Sequence, residues 1–170
     1  MRDSVVWVSQ KLAPMLGNEA LEAYFTDFGY SSRDLSGGLD RAWLTRASFL
    51  EGAAKPTLTI SADEQARFLA RMWRGVLLVS GGAVEKTNAI TRLEGTPGGW
   101  TLHGKTGSGF VGKDGKKRLG WFVTHLHQGG RSLVAVVRIV DNAAPPKGAA
   151  PYAGRQAREL LEALLAEGGS

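Results

Sequence analysis

The chain has 170 residues, enough for one domain or two small lobes on a shared core, and 43% of them are hydrophobic, as in an ordinary globular protein. It contains no cysteine, which excludes disulfides, thiolate metal sites and cysteine nucleophiles, and no apolar run of bilayer-spanning length, so no membrane partner is expected. The net charge of +5 is diffuse rather than gathered with aromatic residues on one face, so nucleic acid is not the expected partner either.

Met1–Arg2–Asp3–Ser4–Val5–Val6 lacks the apolar core of a signal peptide, and no export signal is read from it. The first half then reads as helical. Val8, Leu12, Met15 and Leu16 recur at helical spacing over 8–16, with Pro14 as a kink inside the pattern. Asn18 is placed to cap a second helix through Phe25, with Leu21, Tyr24 and Phe25 on one face. A polar loop from Tyr30 to Gly38 precedes Trp43–Leu44. Ser61 and Glu64 form a capping box, each able to satisfy the other's backbone donor. That box opens a helix ending near Gly75, with Phe68, Leu69, Met72 and Trp73 facing a core. A further helix is expected over 83–93.

Glycine and proline at 95–99 end the helical pattern, and period-two segments follow. Strands are predicted over 100–104, 119–126 and 132–140, the last two joined through Gln128–Gly129–Gly130–Arg131. Lys113, Lys116, Lys117 and Arg118 around Asp114–Gly115 read as a solvated hairpin tip. Residues 143–151 form an Ala- and Pro-rich linker, and 152–166 close as a helix with Leu160, Leu161, Leu164 and Leu165 as its buried stripe. This order predicts an α/β (α+β mixed) fold: a mostly helical lobe over 1–95, then an antiparallel sheet with a C-terminal helix over 96–170, together one domain.

Three features carry chemistry. Lys105–Thr106–Gly107, expected just after a strand and continued by Ser108–Gly109, places a cation over a cleft beside a hydroxyl and strand amides. Such a group can hold a carboxylate and a developing oxyanion, and the glycine admits a ligand close to the backbone; the plainer alternative is a basic residue opening a Gly-rich turn. Ser4 is placed either to cap a helix or to relay a proton beside a lysine, and Arg155 either to pair with an anion or to stay solvated. His125 and His127 alternate along a strand and share a face, a weak metal pair at most, and no metal is expected because nothing nearby completes a ligand set.

Taken in order, these pieces resemble the class D (oxacillinase-type) serine β-lactamases of the penicillin-binding superfamily. Ser4–Val5–Val6 resembles that family's S-x-V motif. Tyr30–Ser31–Ser32 stands where the family has Y-G-N, followed by similar Ser36–Gly37–Gly38 and Trp43–Leu44 elements. Ile60–Ser61, Gln65 and Phe68–Leu69 match its I-S-x-x-x-Q-x-x-F-L helix, Lys105–Thr106–Gly107 its K-T-G, and Gly120–Trp121 the strand after it. The resemblance implies that Ser4 and Lys105 shuttle the leaving-group proton, and that Trp43 positions a catalytic lysine. The Ser108 amide would form half an oxyanion hole. Thr106, Gly107 and Arg155 would hold the substrate carboxylate, with Val6 and Tyr30 at the pocket. A β-lactam is the implied ligand, and the implied compartment is the periplasm.

Two departures stand out. Y-G-N has become Tyr-Ser-Ser, losing the asparagine and a turn glycine. None of the serines is followed by lysine three residues later, so the family's S-x-x-K, whose serine is acylated and whose lysine, carbamylated by carbon dioxide, is the general base, is not found; no other cofactor is implied. The protein partners considered are a complementing N-terminal fragment, able to supply the missing groups, and a homo-oligomer. The rival readings are a non-catalytic penicillin-binding remnant or sensor-type domain and, third, a basic nucleic-acid binder.

Overall fold

The computed structural model describes residues 6–35, 58–111, 117–141 and 152–168. Residues 36–57, which include Trp43, residues 112–116, where a hairpin tip is expected, and residues 143–151, where a linker is expected, lie outside the described residues. Among the described residues, four α-helices and three strands follow in the order α1 (Val6–Phe28), α2 (Ala62–Trp73), α3 (Gly81–Thr91), β1 (Thr101–Val111), β2 (Lys117–Gln128), β3 (Arg131–Asp141) and α4 (Ala153–Glu167). The strands make an antiparallel meander, β1–β2–β3. Helix α4 lies on one face of it and α2 on the other. The result is the expected mixed class.

Period-two patterning decides the sheet. Leu102, Phe122 and Leu126 are fully buried or nearly so, on the face that α4 covers. Across the strands Leu102 opposes Leu126 and Thr106 opposes Phe122, so cross-strand neighbours build one continuous surface. Trp100, Ala157 and Leu161 complete that core. The β2–β3 hairpin turns at Gly129 (φ 53°) and Gly130 (φ 81°). Positive φ at both central residues is the geometry whose twist matches a two-residue hairpin, and Gly-Gly adopts it without strain.

Helix α4 departs from its predicted stripe. The buried residues are Ala153, Gly154, Ala157 and Leu161, while Leu160 and Leu164 are 50% and 56% exposed. Small residues at the first turn, not leucines, let this helix approach the sheet. A methyl group at Gly120 would overlap the Ala153 backbone, and one at Gly154 would overlap the Gly107 carbonyl. Backbone meets backbone at that point.

The helices follow their caps. Ser61 and Glu64 form the predicted box: Ser61 N donates to Glu64 Oε2 at 2.8 Å, and Glu64 N donates to Ser61 Oγ at 3.2 Å. The Ser61 N bond, with a second donated by Ser61 Oγ to Glu64 Oε2 at 2.7 Å, holds the Glu64 carboxyl below its usual range. Ser80 caps α3 through Ala83 N. In α1 the helix runs past Pro14 and breaks instead at Gly17 (φ 80°, ψ 164°), the residue before Asn18. The kink thus falls where no Cβ opposes it. The C-terminal end of α1 joins α2 through aromatic rings: Tyr30 lies stacked on Phe25 at 5.6 Å and edge-on to Phe68 at 4.7 Å.

Candidate functional site

Lys105, Thr106, Gly107 and Ser108 lie inside β1, not after it, because the strand continues to Val111. Pairing with β2 explains the extension: every residue of 101–111 has a partner, Gly107 facing Trp121 and Ser108 facing Gly120. Alternation therefore divides the motif between two faces. Thr106 and Ser108 project toward α4, with Phe122 and Gly120 as their cross-strand partners. Lys105 projects toward the α2 side with His103 and Val123. The motif straddles the β1 edge.

Lys105 Nζ donates to the Thr106 carbonyl oxygen. Burial lowers its pKa from the ordinary lysine value, since an ammonium loses hydration at the sheet surface. A Cβ added at Gly107 would meet only Trp121 Cβ at 3.6 Å, an ordinary contact, so packing inside the sheet does not require this glycine. Ser108 Oγ accepts a hydrogen bond from Gly154 N at 2.9 Å. The start of α4, with exposed Arg155 at its third position, is thereby held against Gly107 and Ser108. Arg155 sits on the α4 side and Lys105 on the α2 side of the same strand.

Tyr30 stands apart from that edge. Its hydroxyl donates to Gln65 Oε1 at 3.1 Å, and burial among the rings raises its pKa. Ser32 N donates to the Thr59 carbonyl at 2.8 Å and Thr59 N to Ser32 Oγ at 3.0 Å, tying the loop to the segment before α2. Ser31 takes φ 56°. A serine thus occupies, in left-handed conformation, the position where the motif pattern has glycine. Ser4 and Trp43 lie outside the described residues, as does the side chain of Val6, whose backbone opens α1.

Three histidines form a cluster on the α2 side of the sheet. His125 stacks on Trp73 at 4.5 Å, and the His103 and His127 rings lie 6.2 and 5.7 Å from it. Burial, then the neighbouring His127 and His103, lower the His125 pKa. His125 Nε2 is 2.7 Å from Ser132 Oγ, and His103 Nδ1 is 2.9 Å from the Asn88 carbonyl. Among the described residues no group of three potential ligands is arranged to hold a metal ion. Sequence reasoning joined His125 with His127 but left His103 and Trp73 out of the group.

Residues 1–166 match the family described as the penicillin binding protein transpeptidase domain. The chain belongs to that family. Within it, the chain is homologous to class D β-lactamases. It is 36% identical over 143 residues to "Beta-lactamase OXA-9" of Klebsiella pneumoniae, an alignment covering 78% of this chain and 48% of that protein. The solved structure of the class D β-lactamase OXA-427 superposes with a TM-score of 0.76 at 30% identity, over 99% of this chain and 67% of that one. The C-terminal domain of the Bacillus licheniformis BlaR penicillin-receptor shares the fold, with a TM-score of 0.79 at 24% identity over 99% of this chain and 60% of that one. The chain thus spans about half the length of the curated relatives it matches.

Sequence reasoning missed Gly154 altogether and read Gly120 only as part of a Gly–Trp element, not as a packing contact. A signal existed. Glycine at the second position of a helix is a poor helix former, and a glycine within a strand marks close backbone approach. In this chain the two mark one contact.

Proposed function

We propose that this chain is the carboxylate-recognising part of a class D-type β-lactam-binding protein. The observation that carries the proposal is the β1 edge itself. Thr106 and Ser108 face the N-terminus of α4, where Arg155 is the third helical residue, while Lys105 lies over the opposite side. A β-lactam carries a carboxylate and a strained amide. Thr106 and Arg155 would receive the carboxylate, and the Ser108 amide would face the amide oxygen as it gains charge. Lys105, its pKa depressed by burial, is suited to passing a proton to the departing nitrogen with Ser4. The periplasm is the compartment proposed for this activity.

In a complete enzyme a serine would be acylated and a carbamylated lysine would activate the hydrolytic water. No serine within these 170 residues has lysine three positions on. Covalent chemistry needs a nucleophile with a base in reach, so the 170-residue chain by itself binds without turnover. The test is benzylpenicillin, followed by calorimetry for binding and by intact mass for a covalent adduct. Saturable binding that is weaker, but still measurable, with the penicillin methyl ester, and no adduct, is the expected result. A stoichiometric acyl adduct on any serine would overturn the non-covalent part, and equal binding of acid and ester would overturn carboxylate recognition.

A further inference from the structure

Helix α4 begins with a defect. Tyr152 occupies its N-cap, and no side-chain hydrogen bond is made from that position. The first amides of a helix have no acceptor within it, and a serine, threonine, asparagine or aspartate at the N-cap ordinarily supplies one. Here the Gln156 amide makes the ordinary first helical bond to the Tyr152 carbonyl at 3.4 Å, and the Arg155 amide shares that carbonyl at 3.0 Å. The Gly154 amide instead donates at 2.9 Å to Ser108 Oγ, which lies 46 residues earlier on β1. The acceptor that the helix lacks locally comes from the sheet.

Geometry makes this bond depend on glycine. A methyl group on Gly154 would overlap the Gly107 carbonyl and come within 2.8 Å of Ser108 Oγ. A methyl group on Gly120, the cross-strand partner of Ser108, would overlap the Ala153 backbone. Two glycines and one hydroxyl therefore bring the helix start into direct backbone contact with the Lys105–Ser108 strand. Arg155 is the next residue along.

We infer that the Ser108 side chain is a positioning residue, a helix cap supplied across the fold that sets where Arg155 stands relative to Thr106 and Gly107. The consequence for ligand selection rests on the function proposed above; the cap itself does not. Ser108 would then serve the site twice, its amide facing the ligand and its hydroxyl placing the arginine.

Amide hydrogen exchange reads the cap without any ligand. In the wild-type chain the Gly154 amide should be protected although no acceptor exists for it within α4; free exchange at Gly154 overturns the inference, and this measurement does not depend on a variant folding. S108A, which keeps the backbone amide, should speed Gly154 exchange by about fivefold, the factor that loss of a typical cap represents, and S108T should restore protection. Benzylpenicillin and its methyl ester supply the second reading. S108A should weaken the acid severalfold and leave the ester unchanged, with recovery in S108T. Equal weakening of both compounds would show a general structural role and overturn the placement of Arg155. If the wild type binds neither compound while Gly154 is protected and S108A exposes it, the cap stands and the proposed function falls. If the wild type binds the acid and S108A changes neither exchange nor affinity, the proposed function stands and the cap falls.

Discussion

The two sides of the sheet are built on different principles. Against α4 the chain makes a dry core, with Phe122 and Leu102 at 0% exposure and glycine-mediated backbone contact at the helix start. Among the described residues, the contacts around α1 and α2 are fewer and less enclosed. Tyr24, Phe28, Phe68 and Tyr30 form a chain of rings rather than a closed cluster, and Leu12, Met15 and Leu16 of α1 are more than half exposed. One side is held by buried area and shape. The other is held by caps, rings and single hydrogen bonds, such as Arg71 Nη1 to the Phe28 carbonyl at 2.6 Å. Stability should therefore reside in the α4 side, and substitutions of like size should differ between the two sides.

The largest effect tests that difference directly. Phe122→Ala should cost about 3–5 kcal/mol, the range for emptying a fully enclosed aromatic site. Phe68→Ala, at a partly exposed ring, should cost clearly less in the same urea titration. Equal losses would break the comparison. Next comes Gly120→Ala, which should destabilise by about 1–3 kcal/mol because the added methyl group meets backbone that cannot swing aside. A neutral result would show that α4 can slide on the sheet.

The sheet was legible in the sequence because alternation has a short period and needs no partner to be seen. Leu119 to Leu126 alternates as the core requires, and Gly129–Gly130 marks the hairpin. The end of β1 was not legible. Lys105, Gly107 and Gly109 interrupt any apolar alternation, and only pairing with β2 keeps 105–111 extended. Helix α4 was half misread for a related reason: Leu161 and Leu165 do pack on the core, but leucine density also suggested Leu160 and Leu164, whereas close approach selected Gly154 and Ala157. On the α2 side the capping box was fully legible, since both partners lie within three residues. The site was legible as a set of motifs and illegible as geometry. Nothing local in Lys105–Thr106–Gly107–Ser108 says which residues face α4, or that Ser108 caps a helix 46 residues on.

Smaller effects sharpen the α2 side. Ser61→Ala removes the acceptor for Glu64 N and should cost about 1 kcal/mol of stability, read as a lower urea midpoint with unchanged slope. Ser31→Gly should act in the opposite direction. Serine at φ 56° bears a strain that glycine does not, so the change should stabilise by up to about 1 kcal/mol, less the added flexibility of the unfolded chain. A loss of stability would mean that the serine side chain, 3.4 Å from Arg33 N, is worth more than the strain it carries.

The last effect is the smallest, because His125 keeps part of its contact with water and its charge is screened there. Its pKa is lowered by burial first and by His127 and His103 second. No acidic group contributes to that shift, so nothing offsets a proton on the ring. Below the ordinary histidine value of 6.5 the unfolded chain therefore binds a proton more readily than the folded one. Stability should be full above that value, decline as pH falls through it, and stop declining once pH is below the folded value. The Glu64 carboxyl, held below its ordinary 4.5, acts in a lower window, so the two can be separated. His125→Phe keeps a ring on Trp73 and removes the titration. Urea midpoints for both proteins between pH 8 and about pH 5.5 decide the matter: the wild type should lose more than the variant over that interval. Parallel curves would show that the Trp73–His125 stack tolerates charge, and that α2 is held to the sheet by contacts indifferent to this histidine.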